Sequence, residues 1–112
     1  MDAGFKEADI IVENRFSTQF IDHAYLETET GVAWLDENQV INILVGTQVL
    51  EHYRDVAQAL QVPDSKVRIL CSYMGGGFGG KEDVTVEVFL GLLAWKTGRP
   101  VRLEYKREES IL

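Results

Sequence analysis

The sequence predicts an α+β (mixed α/β) fold, and three observations predict it. β-rich runs dominate the first half of the chain. Two stretches of helical character follow, and each ends at a turn signal before a short β-branched run. The resulting order is mostly β, then helix, strand, helix, strand. At 112 residues, 46% hydrophobic and 26% charged, the chain has the size and composition of one globular domain.

Residues 8–16 contain Ile10, Ile11 and Val12 and read as a strand. Residues 20–26 alternate Phe20, Asp22, Ala24 and Leu26 with Ile21, His23 and Tyr25, a strand with no clean polar face, as when both faces are covered. Residues 31–35 and 40–45 flank the polar run Asp36-Glu37-Asn38-Gln39 and predict a hairpin. Thr47 is placed to cap a helix over 48–60, where Val49, Tyr53, Val56, Ala57 and Leu60 recur at spacings of three and four. Pro63 stops that helix. Residues 67–72 read as a buried strand, with Cys71 as a small apolar residue.

A second helix over 82–95 is apolar almost all round, as in a helix packed inside a larger assembly. Thr97-Gly98-Arg99-Pro100 ends it and 101–105 forms the last strand. Arg107-Glu108-Glu109-Ser110 starts another element with no closing cap. The expectation is a single domain over residues 1–112 that is a fragment of a larger subunit. Trp34 and Trp95 are expected as core or interface anchors, His23 as a structural residue in its strand, and His52 on the surface.

Eleven Lys and Arg against eighteen Asp and Glu leave a net charge of −7. That charge disfavours nucleic acid or an anionic membrane as a partner. The apolar run 88–95 is broken by Gly91 and too short to cross a bilayer. Acidic and basic residues interrupt residues 1–16, so no secretory signal is visible, and the single cysteine fits a reducing, cytoplasmic setting. One cysteine and two histidines are too few for a disulfide framework or a Cys/His metal site.

Half of the ten glycines fall in Gly75-Gly76-Gly77-Phe78-Gly79-Gly80, followed by Lys81-Glu82. Either the backbone there needs positive φ and tight turns, or a bulky ligand touches it. A helix starting directly after the loop would favour an anionic or electron-rich ligand. Gly75, Gly80 and Lys81 also satisfy the spacing of a nucleotide-binding phosphate loop, but Glu82 stands where that loop needs a hydroxyl for magnesium. Glu82 suits a carboxylate at the mouth of a ligand cradle, and equally an ordinary acidic residue in a first helical turn.

Met74 through Glu82 resembles the cofactor loop of the xanthine dehydrogenase and aldehyde oxidase family of molybdenum hydroxylases. Further segments resemble that family in order and spacing: His23-Ala24-Tyr25-Leu26-Glu27, Thr47-Gln48, Val62-Pro63 through Lys66-Val67, and Lys96 through Val101. Two residues before His23, Ile21 stands where the family commonly has a glutamine.

The resemblance implies a molybdopterin cofactor whose dithiolene, not the protein, holds molybdenum. It also implies hydroxylation of a purine-like heterocycle or an aldehyde with oxygen from water. Electrons would leave through iron–sulfur clusters to FAD in partner domains or subunits. Gly76, Gly77, Phe78, Gly79 and Gly80 would then contact the cofactor, and Glu82 would bind substrate. The family's catalytic base lies far downstream of the loop, so these residues include no catalytic residue and the segment alone would be inactive. Two alternatives stay open: a phosphate-loop-like nucleotide-binding domain, and a non-catalytic assembly domain docking through the apolar second helix.

Overall fold

The computed structural model describes residues 2–111. A short helix α1 (Asp2–Glu7) buries nothing and leads into an extended arm. Strands β1 (Thr30–Leu35) and β2 (Ile41–Val45) form the expected antiparallel hairpin, with Gly31 opposite Val45 and Leu35 opposite Ile41. The Asp36 carboxylate closes the turn by accepting the N–H groups of Asn38 and Val40. Helix α2 (His52–Leu60) crosses over to β3 (Val67–Cys71), which pairs parallel with β2. Helix α3 (Glu87–Thr97) then delivers β4 (Val101–Glu104) antiparallel to the far edge of β1. The sheet order is β3-β2-β1-β4, and a last short helix α4 (Arg107–Ser110) follows. The α+β class is as the patterning predicts.

The period-two pattern of β1 and β2 puts Ala33, Ile41, Ile43 and Val45 into the core. Val56, Ala57 and Leu60 of α2 and Leu90 and Ala94 of α3 meet them there, each 6% exposed or less. Removal of such apolar surface from water is the main stabilising term. Helix α3 is apolar on both sides, but only Glu87, Leu90, Gly91 and Ala94 are buried. Phe89, Leu92, Leu93 and Trp95 remain 37–52% exposed on its other side. Trp34 is half-buried.

Several expectations are corrected. Neither 8–16 nor 20–26 is a strand; Ile10, Val12, Phe16 and Phe20 are all at least 81% exposed, and of residues 8–26 only Tyr25 is buried. A strand needs a neighbour to take up its N–H and C=O groups, and no described strand pairs with this arm. His23 is therefore exposed and has no strand around it.

Helix α2 starts at His52 rather than residue 48, because residues 47 and 48 are bonded elsewhere. The Thr47 hydroxyl accepts the Val49 N–H at 3.2 Å, and the Gln48 N–H donates to the Lys81 carbonyl at 3.0 Å. Thr47 does not cap the helix; the capping position is Glu51. Likewise α3 starts at Glu87 and not at Glu82, which lies in the preceding bend. Cys71 is exposed rather than buried, because it ends an edge strand where the chain leaves the sheet.

Two glycines make the helix-on-sheet contact possible. A Cβ on Gly31 would lie 2.6 Å from Leu90 Cδ1 and 2.9 Å from the Leu44 carbonyl oxygen, and the latter cannot move without breaking the hairpin. A Cβ on Gly91 would lie 3.1 Å from Val56 Cγ1. Gly31→Ala is expected to cost about 1–3 kcal/mol through overpacking, read as a lower urea midpoint. Gly4→Ala, where no atom lies within 4 Å of the added carbon, is expected not to lower that midpoint.

Candidate functional site

The glycine run leaves β3, passes between the 25–29 segment and Gln48, and returns to α3. Its entry is fixed by Glu27. The Glu27 N–H donates to the Gly75 carbonyl at 3.2 Å, and the Gly75 N–H donates to Glu27 Oε2 at 2.9 Å. Glu27 Oε1 accepts from Lys81 Nζ at 2.7 Å. Lys81 is only 2% exposed and sits 4.8 Å from the centroid of the Tyr25 ring, a cation–π distance. Partial burial alone would raise the Glu27 carboxyl, but the hydrogen bonds from Lys81 and Gly75 and the Lys81 charge outweigh it and hold it below its usual value.

Tyr25 closes the floor of the loop. Its hydroxyl bonds to the buried Glu29 carboxylate. Burial first, then the hydrogen bond and charge of Glu29, push the phenol up to about 12. Arg107 secures the same segment from the C-terminal side, its Nη2 donating to the carbonyls of Tyr25 at 2.6 Å and Leu26 at 2.9 Å.

The crest is held by Gln48, whose Oε1 accepts the N–H groups of Gly79 at 3.0 Å and Lys81 at 3.3 Å. Its Nε2 is 3.4 Å from Glu82 Oε1, so one side chain both grips the loop and touches the Glu82 carboxylate. Two internal turns, from Gly80 N–H to the Gly77 carbonyl and from Glu82 N–H to the Gly79 carbonyl, complete the fold of the run. Phe78 adopts φ 53, strained for a residue with a side chain, and is 77% exposed.

Among the described residues, no hydrogen bond takes up the N–H groups of Gly76, Gly77 or Phe78. Three successive unbonded N–H groups, with Gly76 and Phe78 at positive φ, make a concave donor array suited to electron-rich oxygens. This array, not a helix dipole, is what the loop offers, since α3 begins five residues after Glu82. It suits a bulky group rich in acceptor atoms. Glu82 is exposed beside it. No cluster of three or more His, Cys, Asp or Glu that could hold a metal occurs among the described residues.

Of the residues singled out from sequence, the structure gathers Gly76, Gly77, Phe78, Gly79, Gly80 and Glu82 in one place. His23 comes near them, 3.7 Å from where a Cβ on Gly79 would be. Ile21 is 72% exposed on the arm, and the amide that meets the loop comes from Gln48 instead. Gln48, Glu27, Lys81 and Arg107 have structural parts in the site that patterning did not assign.

His52 is a further correction: it is 3% exposed, not on the surface, and bonds to Thr47, Glu87 and the Glu82 carbonyl. A signal for it existed. His52, Val56 and Leu60 share one helical face at spacings of four, so a core stripe passes through the histidine.

The Glu27–Lys81 pair has a definite pH signature. Its folded-state carboxyl is lowered, so its stabilisation is present above the ordinary value of 4.5 and is lost as pH falls through the lower folded value. The Gly75 amide resonance is expected to follow this titration with a midpoint below 4.5. Lys81→Met is expected to move that midpoint upward. A wild-type midpoint at or above 4.5 would show that the pair does not stabilise the loop.

The chain is similar to known proteins along its whole length. The family model described as a molybdopterin cofactor-binding domain matches residues 1–112. The chain is 41% identical over 111 residues to the nicotinate dehydrogenase large molybdopterin subunit of Eubacterium barkeri, covering 98% of this chain and 26% of that protein. It is 40% identical over 113 residues to xanthine dehydrogenase/oxidase of Rattus norvegicus, covering 97% of this chain and 8% of that one. Quinoline 2-oxidoreductase from Pseudomonas putida 86 superposes with a TM-score of 0.83 at 28% identity, covering 96% of this chain and 14% of that structure. The chain thus spans about a quarter or less of the length of these relatives. With the family model matched along its whole length, the chain belongs to the molybdopterin cofactor-binding domains of the xanthine dehydrogenase and aldehyde oxidase family of molybdenum hydroxylases.

Proposed function

We propose that this chain is the cofactor-cradling portion of a molybdenum-hydroxylase subunit, an oxidoreductase acting on an electron-poor heterocycle or an aldehyde. The observation that supports it is the array of unbonded N–H groups at Gly76, Gly77 and Phe78, set beside an exposed carboxylate. The N–H groups of Gly76, Gly77 and Phe78 would hold the molybdopterin as hydrogen-bond donors, with the backbone of Gly79 and Gly80, whose N–H groups are bonded within the protein, packed beside it. When bound, that cofactor supplies the two-electron redox centre at which a carbon is hydroxylated with oxygen from water.

The chain's own residues bind and orient. Glu82, hydrogen-bonded by Gln48, accepts N–H groups of a heterocyclic substrate and holds the ring in one direction. The base that activates the reaction lies outside these residues, so the 112-residue segment alone is inactive. Iron–sulfur and FAD partners, in a reducing cytoplasmic setting, take the electrons.

A docking role accompanies the cradle rather than replacing it. The outer side of α3, with Phe89, Leu93 and Trp95, and the exposed arm, with Ile10, Val12 and Phe16, are apolar surfaces suited to the remainder of a larger subunit. The nucleotide reading finds no support in Lys81, whose ammonium is buried and already paired with Glu27.

The full-length protein, purified from a host that makes the cofactor, is expected to contain molybdenum and pterin; absence of both would overturn the reading. Gly77→Ala drives a methyl group into the Gln48 side chain and is expected to lower molybdenum content severalfold. Glu82→Gln is expected to raise KM for an N-heterocyclic substrate about 10- to 100-fold, the range of a hydrogen bond to a charged group, with cofactor content retained.

A further inference from the structure

His52 and Glu87 form a buried polar pair that the cradle does not itself require. His52 is 3% exposed and Glu87 1%, on the facing sides of α2 and α3. His52 Nε2 lies 2.8 Å from the Glu82 carbonyl oxygen. A carbonyl oxygen has no proton to give, so Nε2 carries one and donates it.

On the other side of the ring, Nδ1 lies 3.0 Å from Glu87 Oε1 and 3.1 Å from Thr47 Oγ1. A single proton between Nδ1 and Oε1 satisfies that pair whichever atom bears it. Glu87 Oε2 is occupied by the Thr85 N–H at 2.8 Å, which fixes the carboxylate in place. The Thr47 hydroxyl is then available to the Lys81 carbonyl at 3.3 Å, to which Gln48 N–H also donates. Two successive carbonyls, of Lys81 and Glu82, are thus held from the base of α2. The ring cannot turn without losing its bond to Glu87.

We propose that His52 is a positioning residue for Glu82. Clamped by Glu87, its Nε2–H fixes the peptide from which the Glu82 carboxylate is presented at the mouth of the glycine run. The proposal rests on the reading of Glu82 as the substrate-binding carboxylate. It adds that the direction of this carboxylate is set by a side chain buried beneath the loop.

Hydrogen–deuterium exchange on the full-length protein reads this directly, needing neither cofactor nor turnover. His52→Leu removes the donor with little change in apolar bulk, and His52→Gln keeps a side-chain N–H. His52→Leu is expected to speed exchange across residues 78–84 about tenfold, the equivalent of one lost hydrogen bond. Exchange in β2 should stay unchanged. His52→Gln should return 78–84 to within about threefold of wild type. In turnover of an N-heterocyclic substrate, His52→Leu should raise KM with kcat little altered, and add nothing once Glu82→Gln is present.

Unchanged exchange at 78–84 in His52→Leu overturns the proposal. So does loosening of β2 and the loop together with no rescue by His52→Gln. If His52→Leu does not fold, His52→Gln decides: a folded His52→Gln protein with a loop exchanging about tenfold faster overturns it, and one that keeps both protection and KM supports it. If Glu82→Gln leaves KM unchanged, the substrate reading fails, while the exchange results still decide what His52 holds.

Discussion

A buried ammonium is the constraint from which the site follows. Lys81 is 2% exposed, and a cation removed from water needs an anion within contact distance. Glu27 supplies it at 2.7 Å, and the Tyr25 ring faces the same charge. Because Lys81 directly follows the glycine run and Glu27 precedes β1, this pair ties the run to the sheet. Glu27 then spends its second oxygen on the Gly75 N–H, so the charge pair and the loop entry form a single unit. The lowered carboxyl of Glu27 is the electrostatic imprint of that arrangement.

Two side chains and one buried group of three divide the control of the run. Glu27 holds its entry, Gln48 its crest, and the Thr47–His52–Glu87 group its exit. What they leave unbonded is the middle, Gly76 to Phe78. A donor array aimed at a ligand has to be rigid before the ligand arrives, because ordering it on binding would consume affinity. Anchoring both ends while leaving the centre unbonded meets that requirement. Glu82 sits where two anchors meet, touched on its carboxylate by Gln48 and on its carbonyl by His52.

Local patterning made the scaffold legible and missed what long-range bonding decides. The hairpin, β3, β4 and the approximate places of α2 and α3 follow from periodicity and turn residues, because those elements are built from neighbours in sequence. Both helix starts are set by partners about 30 residues away: Gln48 bonds to Lys81, and His52 bonds to Glu82. No window of adjacent residues contains that information. The arm over 8–24 has strand composition but no strand beside it, so composition alone misleads there. His52 and Glu87 were legible in principle. Each stands on an otherwise apolar helical face, His52 with Val56 and Leu60, Glu87 with Leu90, Gly91 and Ala94. A polar residue on a core stripe calls for a partner, and here each is the other's.

The density of glycine has a cause within the protein itself. A Cβ on Gly75 would lie 2.6 Å from Glu27 Cβ, and one on Gly80 2.6 Å from Tyr25 Cε1. At Gly77 it would meet the Gln48 amide oxygen. The first two obstacles lie close to the chain or in an aromatic ring, so Gly75 and Gly80 are required by packing against the anchors, while a side chain at Gly77 would displace the Gln48 amide from its bonds to the run. The one residue with a side chain, Phe78, is also the one whose side chain extends largely into solvent despite a positive φ. The glycines therefore bring the backbone close to Glu27, Gln48 and Tyr25. Any group received by the unbonded N–H groups of Gly76, Gly77 and Phe78 would thus meet a backbone set in place by side chains that face inward, away from it.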